Sequence, residues 1–133
     1  MECIIDYTNA NIMYGEVYYG AIRKSTNGGN SFSSIAPSNN GSWETPYELD
    51  KNDPEIIYAG YDELYKTTDG GDNWSIITNG ETNGGKINEI GISKSNPDVI
   101  YFTDDANVFR TTNGGSSWTQ INNNLPYKYI SYI

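Results

Sequence analysis

The chain has 133 residues, enough for one ordinary domain, and its 12 tyrosines and 14% aromatic content favour β-strands. Its 17 acidic and 8 basic residues give a net charge of −9. This charge excludes nucleic acid and an anionic membrane surface as partners, because phosphate binding needs basic patches. The absence of histidine excludes Ser-His-Asp triads, histidine bases and histidine-containing zinc sites.

One short phrase, which we call the box, recurs three times along the chain. It reads STNGGNSF at 25–32, TTDGGDNW at 67–74 and TTNGGSSW at 111–118. The interval from Gly28 to Gly70 is 42 residues, and from Gly70 to Gly114 it is 44. A period in this range is typical of a repeat protein whose unit is a small antiparallel sheet, as in propeller blades.

The strands of each unit follow from alternating apolar residues between turn signals. The first unit, about 1–38, has strands at 3–6, 12–15 and 21–24 before its box. Cys3 lies in an apolar run and is expected to be a buried thiol. The second unit, about 43–80, has strands at 46–50, 56–60, 64–68 and 73–77.

The third unit, about 86–124, repeats the plan with strands at 88–92, 99–102 and 107–110. Residues 127–133 are predicted to form the first strand of a fourth unit, a surplus strand. The sequence therefore predicts an all-β fold, a partial β-propeller of three four-stranded antiparallel blades plus that strand. Three blades leave open sheet edges, so we expect as partners the remaining blades of a larger propeller, or self-association.

The composition of the box predicts a tight, self-bonded turn between two strands. An Asp or Asn at the turn start can accept hydrogen bonds from backbone N–H groups two or three residues later. The paired glycines allow positive φ, and the preceding Ser or Thr hydroxyl can hold the same loop. The aromatic residue is expected to seal the hairpin, and Phe32, Trp74 and Trp118 are therefore expected to lie in the core. These roles are structural, and they fall on Ser25, Asn27, Gly29, Phe32, Thr67, Asp69, Gly71, Trp74, Thr111, Asn113, Gly115 and Trp118.

The box resembles the Asp-box, or BNR repeat, of sialidases, sortilin (Vps10-type) propellers, xyloglucanase-type glycoside hydrolases and photosystem-assembly propellers. Thr67, Asp69, Gly71 and Trp74 match its pattern, and Asn73 replaces the usual Ser or Thr. The resemblance implies that the box joins the third and fourth strands at the propeller periphery, away from the active site. The stretches GSWETPY at 41–47 and YAGY at 58–61 also resemble blades of large exported bacterial proteins, which implies an extracellular or cell-surface location, although no signal peptide is visible at Met1.

Sialidase chemistry, as the resemblance implies it, needs an arginine triad and a tyrosine nucleophile. The chain has only Arg23 and Arg110, which appear at equivalent positions of the third strand, so sialidase activity is not expected. Glycoside hydrolysis by two carboxylates stays open, because Asp6, Asp50 and Glu89 lie in or at the ends of innermost strands. Asp6 and Asp50 occupy equivalent points of successive repeats, which is typical of a repeated turn residue.

No catalytic residue, metal ligand or cofactor is therefore predicted. Acidic turns at 50–53 and 104–107 could bind calcium, but they lack EF-hand spacing and suit ordinary turns better. Trp43, in a polar loop between units, and Tyr61, at a turn, are the candidate ligand-contacting residues. Tyr18 and Tyr19 occupy similar turn positions. Exposed rings at such positions could stack on sugars or anchor a peptide.

The sequence is compatible with two functions. The first is a non-catalytic scaffold or binding module of an exported protein that presents loops to a glycan or a protein. The alternative is a fragment of a xyloglucanase-type glycoside hydrolase whose catalytic carboxylates lie partly on missing blades.

Overall fold

The computed structural model describes residues 2–38 and 40–121, which form three antiparallel sheets of four strands each. The first sheet contains β1 Cys3–Ile5, β2 Met13–Val17, β3 Ala21–Ser25 and β4 Ser33–Ser34. The second contains β5 Tyr47–Leu49, β6 Ile57–Gly60, β7 Leu64–Thr67 and β8 Ser75–Ile76. The third contains β9 Glu89–Ile92, β10 Ile100–Thr103, β11 Val108–Thr111 and β12 Thr119–Gln120. The predicted surplus strand at 127–133 lies outside the described residues.

The predicted fold class is confirmed, since each sheet is a meander in which neighbours in sequence are neighbours in space. Residues 2–38 and 40–121 contain no helix long and apolar enough to cross a membrane. The strand register corrects one sequence alignment: Arg110 lies opposite Tyr101, as Lys24 lies opposite Tyr14. Arg110 is thus the counterpart of Lys24, and Arg23 lies one residue out of register with it.

The turns of each meander fall at two opposite ends of the strands. At one end, which we call the box face, each box bonds to the turn between the first two strands of its own sheet. The amide of Gly70 donates to the carbonyl of Glu55 at 2.9 Å, and the other boxes repeat this bond from Gly28 to Asn11 and from Gly114 to Asp98. At the other end, the cleft face, lie the β2–β3 turn, its counterparts and the connections between sheets.

Neighbouring sheets pack through two apolar clusters and one repeated joint. Tyr14 and Ile22 of the first sheet pack with Tyr47 and Ile57 of the second, and an equivalent cluster joins the second and third sheets. At the joint, an indole N–H of one sheet donates to a carbonyl of the preceding sheet. Trp74 Nε1 donates to Ile35 O at 2.8 Å, and Trp118 Nε1 donates to Ile77 O at 2.7 Å.

The first sheet has no preceding sheet among the described residues, and its outer face is exposed. Phe32, the box aromatic that corresponds to Trp74, is 42% exposed, so its predicted core position is wrong. The prediction of a buried thiol at Cys3 is also wrong, since this side chain is exposed as well. Both residues have the apolar character of an interior position and lack a neighbouring sheet to cover them.

Candidate functional site

Each box is a self-contained hydrogen-bonded turn. In the second box, Thr67 Oγ1 donates to Asp69 Oδ1 at 2.7 Å and accepts from the amide of Gly71 at 3.1 Å. Asp69 Oδ1 also accepts from the amide of Asn73 at 2.8 Å. The amide of Asn73 is four residues later, beyond the two or three that turn chemistry alone suggested, and the amide of Asp72, three residues later, also bonds to the carboxylate. Both glycines of the turn have positive φ.

The outer boxes keep this geometry, but the hydrogen bond between the side chains at the third and seventh positions runs in the opposite direction. Asn73 Nδ2 donates to Asp69 Oδ2 at 2.8 Å. Where the third position of the box is Asn, the seventh is Ser: Asn27 Nδ2 donates to Ser31 Oγ at 2.8 Å, and Asn113 Nδ2 donates to Ser117 Oγ at 2.9 Å. A carboxylate only accepts and needs a donor opposite, whereas an amide donates and finds the hydroxyl oxygen. The two positions therefore change together.

The electrostatics of the second box also fit a structural role. Hydrogen bonds from Thr67 and Asn73 lower the pKa of Asp69 to about 2, so the carboxylate stays ionised under ordinary conditions. A carboxylate with this pKa is a poor proton donor or acceptor near neutral pH.

The structure separates the carboxylates that sequence reasoning grouped on the innermost strands. Asp6 and Asp50 follow β1 and β5 on the box face, where each caps its turn: Asp50 Oδ1 accepts from the amides of Asn52 and Asp53 at 2.8 and 3.2 Å. Asp6 likewise accepts from Thr8 at 2.7 Å. Glu89, at the start of β9, lies at the opposite ends of the strands. Asp6 and Asp50 therefore form no pair with Glu89.

The acidic turn at 104–107 is also internally satisfied. Asp104 Oδ1 accepts from the amides of Ala106 and Asn107 at 2.9 and 2.7 Å, and both of its oxygens accept from Asn107 Nδ2. These are turn bonds, in keeping with the structural interpretation of that segment.

A cleft of about 280 Å³ opens on the cleft face, at the beginnings of the innermost strands. Four carboxylates line it together with polar and small residues: Glu2, Glu16, Glu44, Thr45, Pro46, Asn88 and Glu89. The first sheet supplies Glu2 and Glu16, the connection to the second sheet supplies residues 44–46, and the third sheet supplies Glu89. The cleft is thus assembled from the first sheet, the third sheet and the connections that lead into the second and third sheets.

Two of the cleft carboxyls have raised pKa values. Burial raises the pKa of Glu89, and repulsion from Glu48 adds to the effect. Burial also raises the pKa of Glu2, with further contributions from Glu48 and Glu89. Carboxyls of this kind hold a proton more readily than exposed ones, which suits hydrogen bonding to hydroxyl-rich ligands or general acid chemistry.

Glu16 has a different task from the other cleft carboxylates. It is only 5% exposed, and its Oε1 accepts from the amide of Gly20 at 3.3 Å and from the amide of Thr45 at 2.8 Å. One carboxylate therefore fastens the β2–β3 turn to the connection that leads into the second sheet. Sequence reasoning missed Glu16, Glu2 and Glu44. Glu2 and Glu44 precede the first strands of their sheets and Glu16 lies near the end of β2, so all three fall at the same ends of the strands, which was the available signal.

The two candidate ligand-contacting residues have opposite environments. Trp43 is 56% exposed on the cleft face, beside the cleft residues 44–46. Tyr61 has no exposed surface, and its hydroxyl donates to the carbonyl of Gly20 at 2.6 Å. The prediction that Tyr61 contacts a ligand is therefore wrong. The Tyr61 side chain is buried, and its hydroxyl links the second sheet to the first.

Comparison with known proteins places the fold. No family model matches the chain, and no curated protein matches it by sequence. The GH74 enzyme of Niastella koreensis is similar in structure, with a TM-score of 0.69 and 28% identity over 90% of this chain and 22% of that one. The GH74 xyloglucanase of Xanthomonas campestris has a TM-score of 0.72 and 15% identity over 94% of this chain and 23% of that one.

YCF48 of Cyanidioschyzon merolae is also similar, with a TM-score of 0.62 and 16% identity over 89% of this chain and 35% of that one. The chain spans less than a quarter of these two GH74 enzymes. The three sheets are therefore a partial β-propeller, similar to segments of GH74 enzymes and YCF48.

Proposed function

We propose that this chain is the polysaccharide-recognising segment of a larger Asp-box propeller and that it binds neutral glycan chains at the cleft without cleaving them by itself. The observation that supports this proposal is the acidic cleft between the first and third sheets and the connection into the second. Carboxylates accept hydrogen bonds from sugar hydroxyls, and a negatively charged cleft disfavours anionic polymers. The likeness to GH74 enzymes, one of them a xyloglucanase, supports a β-glucan as the ligand.

The experiment compares the wild-type chain with Glu89→Gln by affinity electrophoresis in gels that contain xyloglucan, and in gels that contain polygalacturonate. We expect xyloglucan to retard the wild type and Glu89→Gln to bind about tenfold more weakly, because a neutral amide accepts a weaker hydrogen bond. Asp53→Asn, an exposed change on the box face, is the matched control. Equal retardation in both polymers, or none in xyloglucan, would contradict the proposal.

One observation favours a second candidate, the glycoside hydrolase fragment. Burial raises the pKa values of Glu2 and Glu89, which is the direction that favours a general acid. If the segment contributes a catalytic acid, xyloglucan incubated with the chain releases reducing ends and Glu89→Gln abolishes the release. No release from the wild type would exclude catalysis by this chain alone. It would leave the binding proposal intact.

We infer a larger propeller from a joint on the third sheet that none of the residues 2–38 and 40–121 fills. The amide of Ile121 donates to Val108 O at 2.8 Å, just as Ile77 bonds to Leu64 and Ile35 to Ile22 in the first two sheets. Ile35 and Ile77 each receive a Trp of the next sheet, and Ile121 borders an apolar hollow of about 360 Å³ with Gly91, Tyr101 and Val108. We propose another blade as its occupant, from a longer chain or a second copy. Light scattering after size exclusion distinguishes them, since only self-association gives a concentration-dependent dimer.

The proposed ligand also indicates a location. Polysaccharides of the xyloglucan class do not enter cells, so we place the parent protein outside the cell or on its surface. A signal for export in the parent gene would support this placement.

A further inference from the structure

Three aromatic side chains form an exposed group on the cleft face, which we call the platform: Tyr18, Tyr19 and Trp43. Their exposed fractions are 43%, 57% and 56%. The ring of Tyr18 stacks on Trp43 with centroids 4.1 Å apart and planes inclined by 27°, and Tyr19 meets Trp43 edge-on at 5.5 Å. The rings come from two separate segments, the β2–β3 turn and the connection into the second sheet.

Buried polar contacts hold these two segments together. The Glu16 carboxylate bonds to both of them, through the amides of Gly20 and Thr45. The amide of Gly41 donates to Tyr19 O at 3.2 Å, and Tyr61 supports the turn from the second sheet through Gly20 O. The platform is therefore set in place before any ligand arrives, which lowers the conformational entropy lost on binding.

The backbone at Tyr19 is in a conformation that folding alone does not favour. Its φ is +63°, in the left-handed region that side chains with a Cβ rarely adopt. The corresponding turns of the second and third sheets contain no non-glycine residue with positive φ. A glycine or asparagine would fit this position with less strain, so a tyrosine here points to a use for its ring.

The chemistry around the platform selects the ligand. A hollow of about 240 Å³ beside Tyr18 and Tyr19 is completed by Ala21, Ser34, Ala36 and Ser38, none of which carries a charge. On the other side, Trp43 is followed directly by Glu44 and Thr45 of the acidic cleft. Flat exposed rings match the C–H faces of pyranose sugars, the serines can bond to hydroxyls, and the cleft repels anions.

We propose that the platform is a glycan-stacking site that holds one or two neutral pyranose rings of a chain whose continuation enters the acidic cleft. This rests on the proposed polysaccharide recognition, but it concerns different residues. The site is built by the Tyr18–Trp43 stack, and Glu16 acts as a positioning residue that holds the two segments in register. The ligand class is a neutral, equatorially linked glucan, whose flat sugar faces can stack on the exposed outer side of the Tyr18–Trp43 pair.

The test uses the full chain, cellohexaose as the neutral probe and trigalacturonate as the anionic one, with tryptophan fluorescence as the readout. Trp43 is the most exposed of the three tryptophans, because the indoles of Trp74 and Trp118 are partly buried and bonded. We expect cellohexaose to change the fluorescence of the wild type and trigalacturonate to have no effect. Trp43→Ala should bind cellohexaose about fivefold to tenfold more weakly by calorimetry, and Trp43→Phe should retain most of the affinity.

The matched control is Tyr7→Ala, which removes a tyrosine that is 54% exposed on the box face. Its affinity should equal that of the wild type. Unchanged cellohexaose affinity in Trp43→Ala, or a loss as large in Tyr7→Ala, overturns the platform. Tighter binding of trigalacturonate than of cellohexaose also overturns it.

The two proposals fail separately. If Trp43→Ala weakens binding and Glu89→Gln does not, the platform stands and the role of the cleft falls. The reverse pattern removes the platform and keeps the cleft. If the wild type binds no neutral oligosaccharide, both are overturned.

Discussion

The joint between neighbouring sheets leads to a sharp prediction about two glycines at equivalent positions. Gly71 has a φ of +101°, and a Cβ added there would lie 2.8 Å from Cδ1 and 3.0 Å from Cβ of Ile35 in the preceding sheet. Gly29 has a φ of +86°, but its added Cβ would meet only the flexible thioether of Met13, at 3.2 Å from the sulfur. Alanine therefore strains the backbone at both positions and overpacks the joint only at Gly71.

The expected magnitudes follow from these two contributions. Left-handed backbone costs an alanine about 1–2 kcal/mol, so Gly29→Ala should lower the free energy of unfolding by that amount. Overpacking adds about 1–3 kcal/mol, so Gly71→Ala should lower it by about 2–5 kcal/mol. Ile35→Ala removes Cδ1, the nearest obstructing atom, although it keeps Cβ, so it should cost less in the Gly71→Ala background than in the wild type.

Urea denaturation followed by tryptophan fluorescence measures all four variants. The near-ultraviolet circular dichroism spectrum in the absence of urea shows whether each variant folds. Equal losses for Gly29→Ala and Gly71→Ala, or additive effects of Ile35→Ala and Gly71→Ala, would refute the proposed packing of the joint.

Three further predictions concern single hydrogen-bonded groups. The pKa of Asp69 is lowered from 3.8 to about 2, so its turn should be intact above pH 4 and should weaken as the pH falls towards 2. The chemical shift of the Asn73 amide should therefore titrate near pH 2. A midpoint near pH 4 would contradict the bonding. Asp69→Asn should destabilise the chain by placing two amide donors opposite each other, and adding Asn73→Ser should restore stability, as thermal melting of both variants would show. Glu16→Ala should cost about 2–4 kcal/mol in urea denaturation by leaving two buried amides unpaired, and Glu16→Gln should cost less; equal losses would argue against the bonds.

Local sequence chemistry was sufficient to predict the repeating unit. The box needs only neighbours in the chain, since the hydroxyl of Thr67, the carboxylate of Asp69 and the amide of Asn73 lie within seven residues. The strands between boxes follow from alternation and turn residues in the same way. The four-stranded sheets and the turn roles of Asp6 and Asp50 were accordingly accessible from the sequence.

Contacts between sheets were decided by the tertiary structure alone, because bonds such as those of Glu16 and Tyr61 join residues 29 and 41 positions apart with no local signal. Tyr61 looks like an exposed turn residue, yet it is buried because its hydroxyl reaches Gly20, 41 residues earlier. Phe32 looks like a core aromatic, yet it is exposed because no preceding sheet covers it. No local signal distinguishes Glu16 from the other acidic residues, and its second hydrogen bond comes from the amide of Thr45, 29 residues later. The sequence determined each sheet, and the packing of sheet against sheet determined which side chains can meet a ligand.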